Sequence, residues 1–256
     1  LLLRKVPVKP LEKHDLKPVR YLVSAIICIF MMYAGNILGT IITALLQLLP
    51  GISAGNPILS YATDNALLPK ILFMVILAPV IEEYIFRKQL IDRMHVYGEK
   101  LAVITSALMF GLFHGNLSQL FYAFALGLVF GYVYLKTGKL RYSISLHMLI
   151  NFIGSVAGPF FLEKIAVLGT METLDMVALE SIMPWLIGFG AYVLVLIGLA
   201  ITGLVLLCIN KRRVSFAPAE LELPKESCFK IVYVNVGMIL LLVGCTALIV
   251  ASLIPL

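Results

Sequence analysis

Seven stretches of this chain are apolar enough, and long enough, to leave no water-soluble arrangement open to it. They cover 21–49, 67–90, 101–116, 117–135, 142–161, 182–209 and 231–255. A bilayer-spanning helix takes about 20 apolar residues, with a range of roughly 17–25. Of the 256 residues 61% are hydrophobic and only 13% charged, against about 25% charged in a soluble domain. The polar surface is too small to cover such a core in water. The expected fold is therefore all-α, a polytopic transmembrane bundle of about seven helices, possibly eight. It forms one membrane-embedded domain over 1–256, with 1–20 as an N-terminal segment, 67–160 as core helices and 182–255 as peripheral helices. The first and sixth runs are long, which implies tilt or an interfacial extension. The third is short, and its boundary with the fourth falls at His114-Gly115-Asn116. The first run is too long for a leader-peptide core and no small-residue cleavage site follows it, so it is expected to stay as a helix. The turn-rich 50–66 stretch, with Pro50, Gly51, Gly55, Asn56 and Pro57, reads as an external loop.

The formal charge of +6 is not gathered into a nucleic-acid-binding patch. Arg4, Lys5, Lys9, Lys13, Lys17 and Arg20 precede the first run. The 87–100 link carries Arg87, Lys88, Arg93 and Lys100, Lys136, Lys139 and Arg141 follow the fourth run, and Lys211, Arg212, Arg213, Lys225 and Lys230 the sixth, with only Lys70 and Lys164 elsewhere. The alternate connections carry Asp64, Glu163, Glu172, Asp175 and Glu180. Basic residues beside helix ends stay cytoplasmic, so seven spans place the N-terminus inside and the C-terminus outside. Nucleic acid is excluded as a partner; the bilayer is the solvent. Cys28, Cys208, Cys228 and Cys245 show no paired spacing, and disulfides are not expected.

An ionisable side chain in hydrocarbon costs about 2.5–3.5 kcal/mol on insertion scales, which makes each one a functional candidate. The second to fifth runs hold Glu82, Glu83, Arg87, His114, His147 and Asn151, whereas the first, sixth and seventh hold almost none. On a helix Glu83 and Arg87 share a face and can pair, while Glu82 points about 100° away. Pro79 loosens the backbone just before them, which a membrane helix tolerates where a neighbour satisfies the freed carbonyl. His147 and Asn151 also share a face. Two plainer readings stand beside this one: glutamates snorkelling at a helix end, and histidines bonding between helices. GxxxG spacing at Gly111/Gly115, Gly127/Gly131 and Gly154/Gly158 is accounted for by close helix packing.

Glu82-Glu83-x-x-x-Arg87, Phe110-x-x-x-His114 and His147-x-x-x-Asn151, in that order on successive apolar segments, resemble the three motifs of the CAAX-protease and bacteriocin-processing family, also called the Abi family. The resemblance covers about 67–160. It implies an intramembrane endopeptidase whose active site opens towards the cytosol. Glu82 would be the general base and His114 would help hold the attacking water. His147 and Asn151 would stabilise the oxyanion, with Glu83, Arg87 and Phe110 in support. Amide hydrolysis needs such a set: an activated water, a base and donors aimed at the developing charge. One geometric tension accompanies it. At about 1.5 Å per residue, Glu82 and His147 lie roughly 9–10 Å in from the nearest basic residue, and His114 about 21 Å in from Lys100.

The implied substrate is a membrane-associated peptide or protein, in what the short loops suggest is a prokaryotic plasma membrane. No cofactor is expected. The nearest alternative is zinc on Glu82, His114 and His147 with a water in the fourth position, although there is no HExxH motif and Asn151 suits an oxyanion better than a metal. Two other classes remain open: a non-catalytic bacteriocin-immunity or scaffold protein, and a transporter with intramembrane carboxylates, for which inverted-repeat halves are lacking.

Overall fold

The computed structural model describes residues 8–52, 67–166, 176–224 and 226–254, and all regular structure among them is helical. In chain order the elements are α1 (Pro18–Leu46), α2 (67–94), α3 (Glu99–Phe113), α4 (Leu117–Thr137), α5 (140–166), α6 (Met176–Asn210), α7 (Cys228–Tyr233) and α8 (Val236–Ala251). The chain is an integral membrane protein, an all-α bundle. Among the described residues four helices are long and apolar enough to cross a bilayer: Pro18–Leu46, Leu117–Thr137, Leu140–Ile165 and Leu179–Arg213.

The other three apolar runs fold less simply than spans of even pitch. The second continues to Met94 and alternates between π and α turns. The third, α3, has 15 residues. The seventh breaks at Val234–Asn235 into α7 and α8, where the Asn235 side chain accepts from the Met238 N–H and starts the new helix. Most of the 50–66 loop lies outside the described residues, as do Asp64, Glu172 and Asp175. All four cysteines are free thiols.

With lipid as solvent, helices gain little from burying apolar side chains against one another, and close backbone approach takes over. Glycine permits that approach. A methyl group at Gly35 of α1 would collide with the Tyr122 backbone of α4, whose nitrogen would be 2.6 Å away, and one at Gly39 would sit 3.1 Å from the Ser118 carbonyl. Gly127 of α4 faces Ala107 of α3, Gly111 of α3 faces the Leu120 carbonyl, and Gly203 of α6 faces the Ile26 carbonyl of α1. These contacts enclose a core of Cys28, Ile29, Met32, Leu126, Phe130 and Leu146. Only part of the GxxxG expectation is met. Gly115 makes a turn with φ of +63°, and Gly154 has no neighbour within 4 Å. Gly35 and Gly39, at the same spacing, lie outside the three pairs singled out above.

Gly35→Leu should therefore destabilise the fold by at least the roughly 1–3 kcal/mol typical of overpacking, because backbone rather than a mobile side chain stands in the way. Gly154→Leu is the matched control and should leave the melting temperature in detergent unchanged. Equal melting of the two variants would contradict the α1–α4 contact.

The turns on the basic side are tied by two extended straps. Asn116 caps α4 by accepting from the Gln119 N–H at 2.9 Å, and Gly138 ends it in the left-handed conformation. The 8–17 strap crosses this end, with the Lys9 N–H donating to Asp92 O and the His14 N–H to Thr137 O. Its Asp15 carboxylate meets Lys139 at 2.7 Å and Arg141 at 2.5 Å. The 214–222 strap returns, its Glu220 and Leu221 N–H groups both donating to Val96 O. Hydrogen bonds from Lys139 and Tyr142 hold the Asp15 carboxyl below its ordinary range. This tie is intact above the ordinary carboxylate range and is lost as pH falls through the lowered value. Proteolysis of the 8–17 strap should accelerate only below the pH at which a free aspartate protonates.

Candidate active site

The site begins with an irregular stretch of α2. Residues Lys70–Leu77 and Tyr84–Ile91 form π turns on either side of one α segment, Ala78–Glu83. Pro79 sits in the first turn of that segment, where the missing N–H breaks no bond within the segment. Short π elements of this kind re-aim side chains inside helices and recur at functional sites. Here they carry Glu82 and Glu83 inward together.

Glu83 and Arg87 form the expected pair. Arg87 Nε donates to Glu83 Oε2 at 2.9 Å and Nη2 to Oε1 at 3.2 Å, and both side chains are fully buried. Arg87 Nη1 donates to Ser106 Oγ at 2.6 Å, and that hydroxyl donates to the Phe86 carbonyl at 2.7 Å. The guanidinium therefore has acceptors on two helices, which a buried cation requires.

His147 of α5 lies between the two glutamates, its Nδ1 3.2 Å from Glu83 Oε1 and its Nε2 3.7 Å from Glu82 Oε2. Since Glu83 is held as an acceptor by Arg87, Nδ1 carries a hydrogen towards it, and Nε2 is the atom presented to Glu82. The result is a line of alternating groups, Arg87–Glu83–His147–Glu82. Glu82, at its open end, keeps a 20% exposed side chain.

His114 closes α3. Its Nδ1 is 2.8 Å from the Phe110 carbonyl; a carbonyl only accepts, so Nδ1 is protonated and Nε2 holds the lone pair. Phe110 packs against four side chains of the site. Its ring meets His114 edge-on at 5.0 Å, His147 at 5.5 Å and Phe86 at 5.4 Å, and Arg87 lies 4.9 Å over its face. Phe130 of α4 stacks on His147 at 5.2 Å. These rings fix the imidazole and separate the ion pair from bulk solvent. Asn151, one turn beyond His147, donates from Nδ2 to the Met74 carbonyl of α2 at 2.8 Å.

The structure removes the apparent difference in depth between the motifs. Arg87 had been counted as a loop residue at the membrane boundary, but it is buried within α2, which runs on to Met94. His147 Nε2 is 3.7 Å from Glu82, and Phe110 meets both His147 and His114, so the three motifs meet at one level. Ser106 bonding to Phe86 and Arg87 sets α2 and α3 side by side, and Phe110 and His114 follow towards Glu82.

Three participants escaped the sequence reading: Ser106, Phe130 and the Met74 carbonyl. Ser106 had a signal, a hydroxyl four residues before Phe110 and so on the same face of an apolar helix. Phe130 and Met74 had none, because nothing local distinguishes them from packing residues. The zinc set fits poorly: among the described residues no three His, Cys, Asp or Glu side chains are arranged to hold a metal ion.

This geometry falls within a region with known relatives. Residues 64–153 match the Rce1-like family of type II CAAX prenyl endopeptidases. The region so identified contains every motif residue from Glu82 to Asn151 and agrees with the resemblance read over 67–160. Over 88 residues the chain is 32% identical to the membrane-embedded CAAX protease MroQ of Staphylococcus aureus, covering 32% of this chain and 36% of that protein. The chain thus aligns with about a third of its curated relative's length, and α1 and α6–α8 lie outside the family match. No solved structure matches. Within the Rce1-like region the relatives bear on α2 to the middle of α5, the part that holds the Arg87–Glu83–His147–Glu82 line.

Proposed function

We propose that this protein is a glutamate-dependent intramembrane endopeptidase that hydrolyses a membrane-associated peptide or protein without a metal ion. The observation that carries the reading is the Arg87–Glu83–His147–Glu82 line, set inside a region that matches prenyl endopeptidases. Glu82 accepts a proton from water as the oxygen attacks the scissile carbonyl carbon. The lone pair on His114 Nε2 accepts a hydrogen bond from the water's other hydrogen, which stays on the oxygen, and so orients the attack. The carbonyl oxygen gains the electron pair and is met by His147 Nε2–H, the ring being protonated on both nitrogens while Glu83 accepts from Nδ1. The carbonyl re-forms as the C–N bond breaks, and Glu82 returns its proton to the leaving amine. Arg87 offsets Glu83 and the imidazolium offsets Glu82, so no charge in the dry interior lacks a counter-charge.

The basic straps support a cytosolic N-terminus and a site reached from the cytosolic side of the membrane. The bacterial relative and the short loops support a prokaryotic plasma membrane.

The test is cleavage of a quenched peptide library by the purified protein in detergent, with and without chelator. Activity should survive chelation, and His147→Ala should lower kcat by about 10²–10³, the usual effect of removing an oxyanion donor. Loss in chelator with recovery on adding zinc would establish the metalloprotease instead. An unchanged rate in His147→Ala would remove the mechanism.

A further inference from the structure

We infer that Asn151 acts on the reaction through helix α2, by satisfying the backbone carbonyl that Pro79 leaves open and so holding Glu82 in place. The inference rests on the endopeptidase reading for its kinetic part. The π turns before Pro79 bond residue i to i−5: the Ala78 N–H reaches back to Phe73 O. In that register the next donor would be residue 79, bonding to Met74 O. Residue 79 is proline and has no N–H. The Asn151 amide occupies that position, donating to Met74 O at 2.8 Å.

The consequence for the site follows from chain direction. Met74 and Glu82 lie on either side of Pro79 in α2, and Asn151 and His147 lie one turn apart in α5. The helices run antiparallel, so α5 grips α2 at two points: Asn151 on Met74 before the proline, and His147 beside Glu82 and Glu83 after it. Pro79 is the position at which α2 is free to bend. Without the first grip, a bend there swings Glu82 relative to His147. One N–H of the Asn151 amide is committed to this bond, so the side chain acts on the site through Met74 as a positioning residue.

The test is a cycle of Asn151→Leu, Pro79→Ala and the double variant. Leucine keeps the branched shape and removes the donor; alanine at 79 restores the N–H that Met74 O lacks. Asn151→Leu should lower the melting temperature and reduce kcat tenfold or more with KM little changed. Pro79→Ala should stay near wild type, and the double variant should recover both melting temperature and kcat to within a few-fold of Pro79→Ala. Recovery only in the double variant, including the case where Asn151→Leu fails to fold by itself, supports the clip. Loss of kcat undiminished by Pro79→Ala would overturn it and return Asn151 to direct contact with the oxyanion. Failure of the double variant to fold would also overturn it. The melting temperatures report on the Met74 bond whether or not the protein cleaves peptides, so failure of this inference and failure of the endopeptidase reading are separable.

Discussion

Glu82→Gln should lower kcat/KM for peptide cleavage by about 10²–10⁴, the range attributed to a general base, while leaving the fold intact. Both halves of that expectation come from where Glu82 sits. It is at the open end of the line, its ionic neighbour is His147 at 3.7 Å, and its side chain is 20% exposed. Glutamine has the same shape and fills the same space, but it has no basic oxygen to take a proton from water. Steady-state rates on a quenched peptide, read beside a melting curve in the same detergent, separate the two halves. A variant that melts like wild type and cleaves within threefold of it would show that another group is the base, and His114 Nε2 would be the next candidate.

Arg87→Met should have the opposite character, a large loss of stability with activity lost as a consequence. The guanidinium donates to both Glu83 oxygens and to Ser106, and its removal leaves the carboxylates of Glu83 and Glu82 with His147 alone between them. Breaking one partner of a buried pair costs about 3–5 kcal/mol. Replacing both partners by apolar groups of similar volume is often neutral. The double variant Glu83→Leu/Arg87→Met should therefore recover much of the stability lost in Arg87→Met. It should not recover activity, because His147 Nδ1 then has no acceptor to orient the ring. Thermal melting and the cleavage rate together give the result. A double variant that cleaves at the wild-type rate would exclude Glu83 from any part in holding His147.

The contrast between these variants follows how the site was readable. Glu83 and Arg87 were legible as a pair because i and i+4 share a helix face whatever surrounds the helix. The gap in hydrogen bonding at Pro79 was legible for the same kind of reason, since an absent N–H is a covalent fact. The helical segments were legible from apolar length, because in lipid the backbone must bond within its own segment. Less was legible where pitch departs from α. The π turns of α2 leave no mark in the composition of Lys70–Leu77, and they shift what faces the site.

Residue chemistry and local helix geometry thus determined that this chain crosses a membrane, that its polar groups lie on a few central helices, and that one glutamate is paired while its neighbour is left over. Tertiary structure alone decided that His147 stands between the two glutamates, that Arg87 is interior rather than at the membrane edge, and that the donor for Met74 is Asn151. The reason is physical. Those relations join residues as many as 77 positions apart, and they depend on how the bundle lets α2 and α5 approach each other. Periodicity within one helix carries no information about that approach.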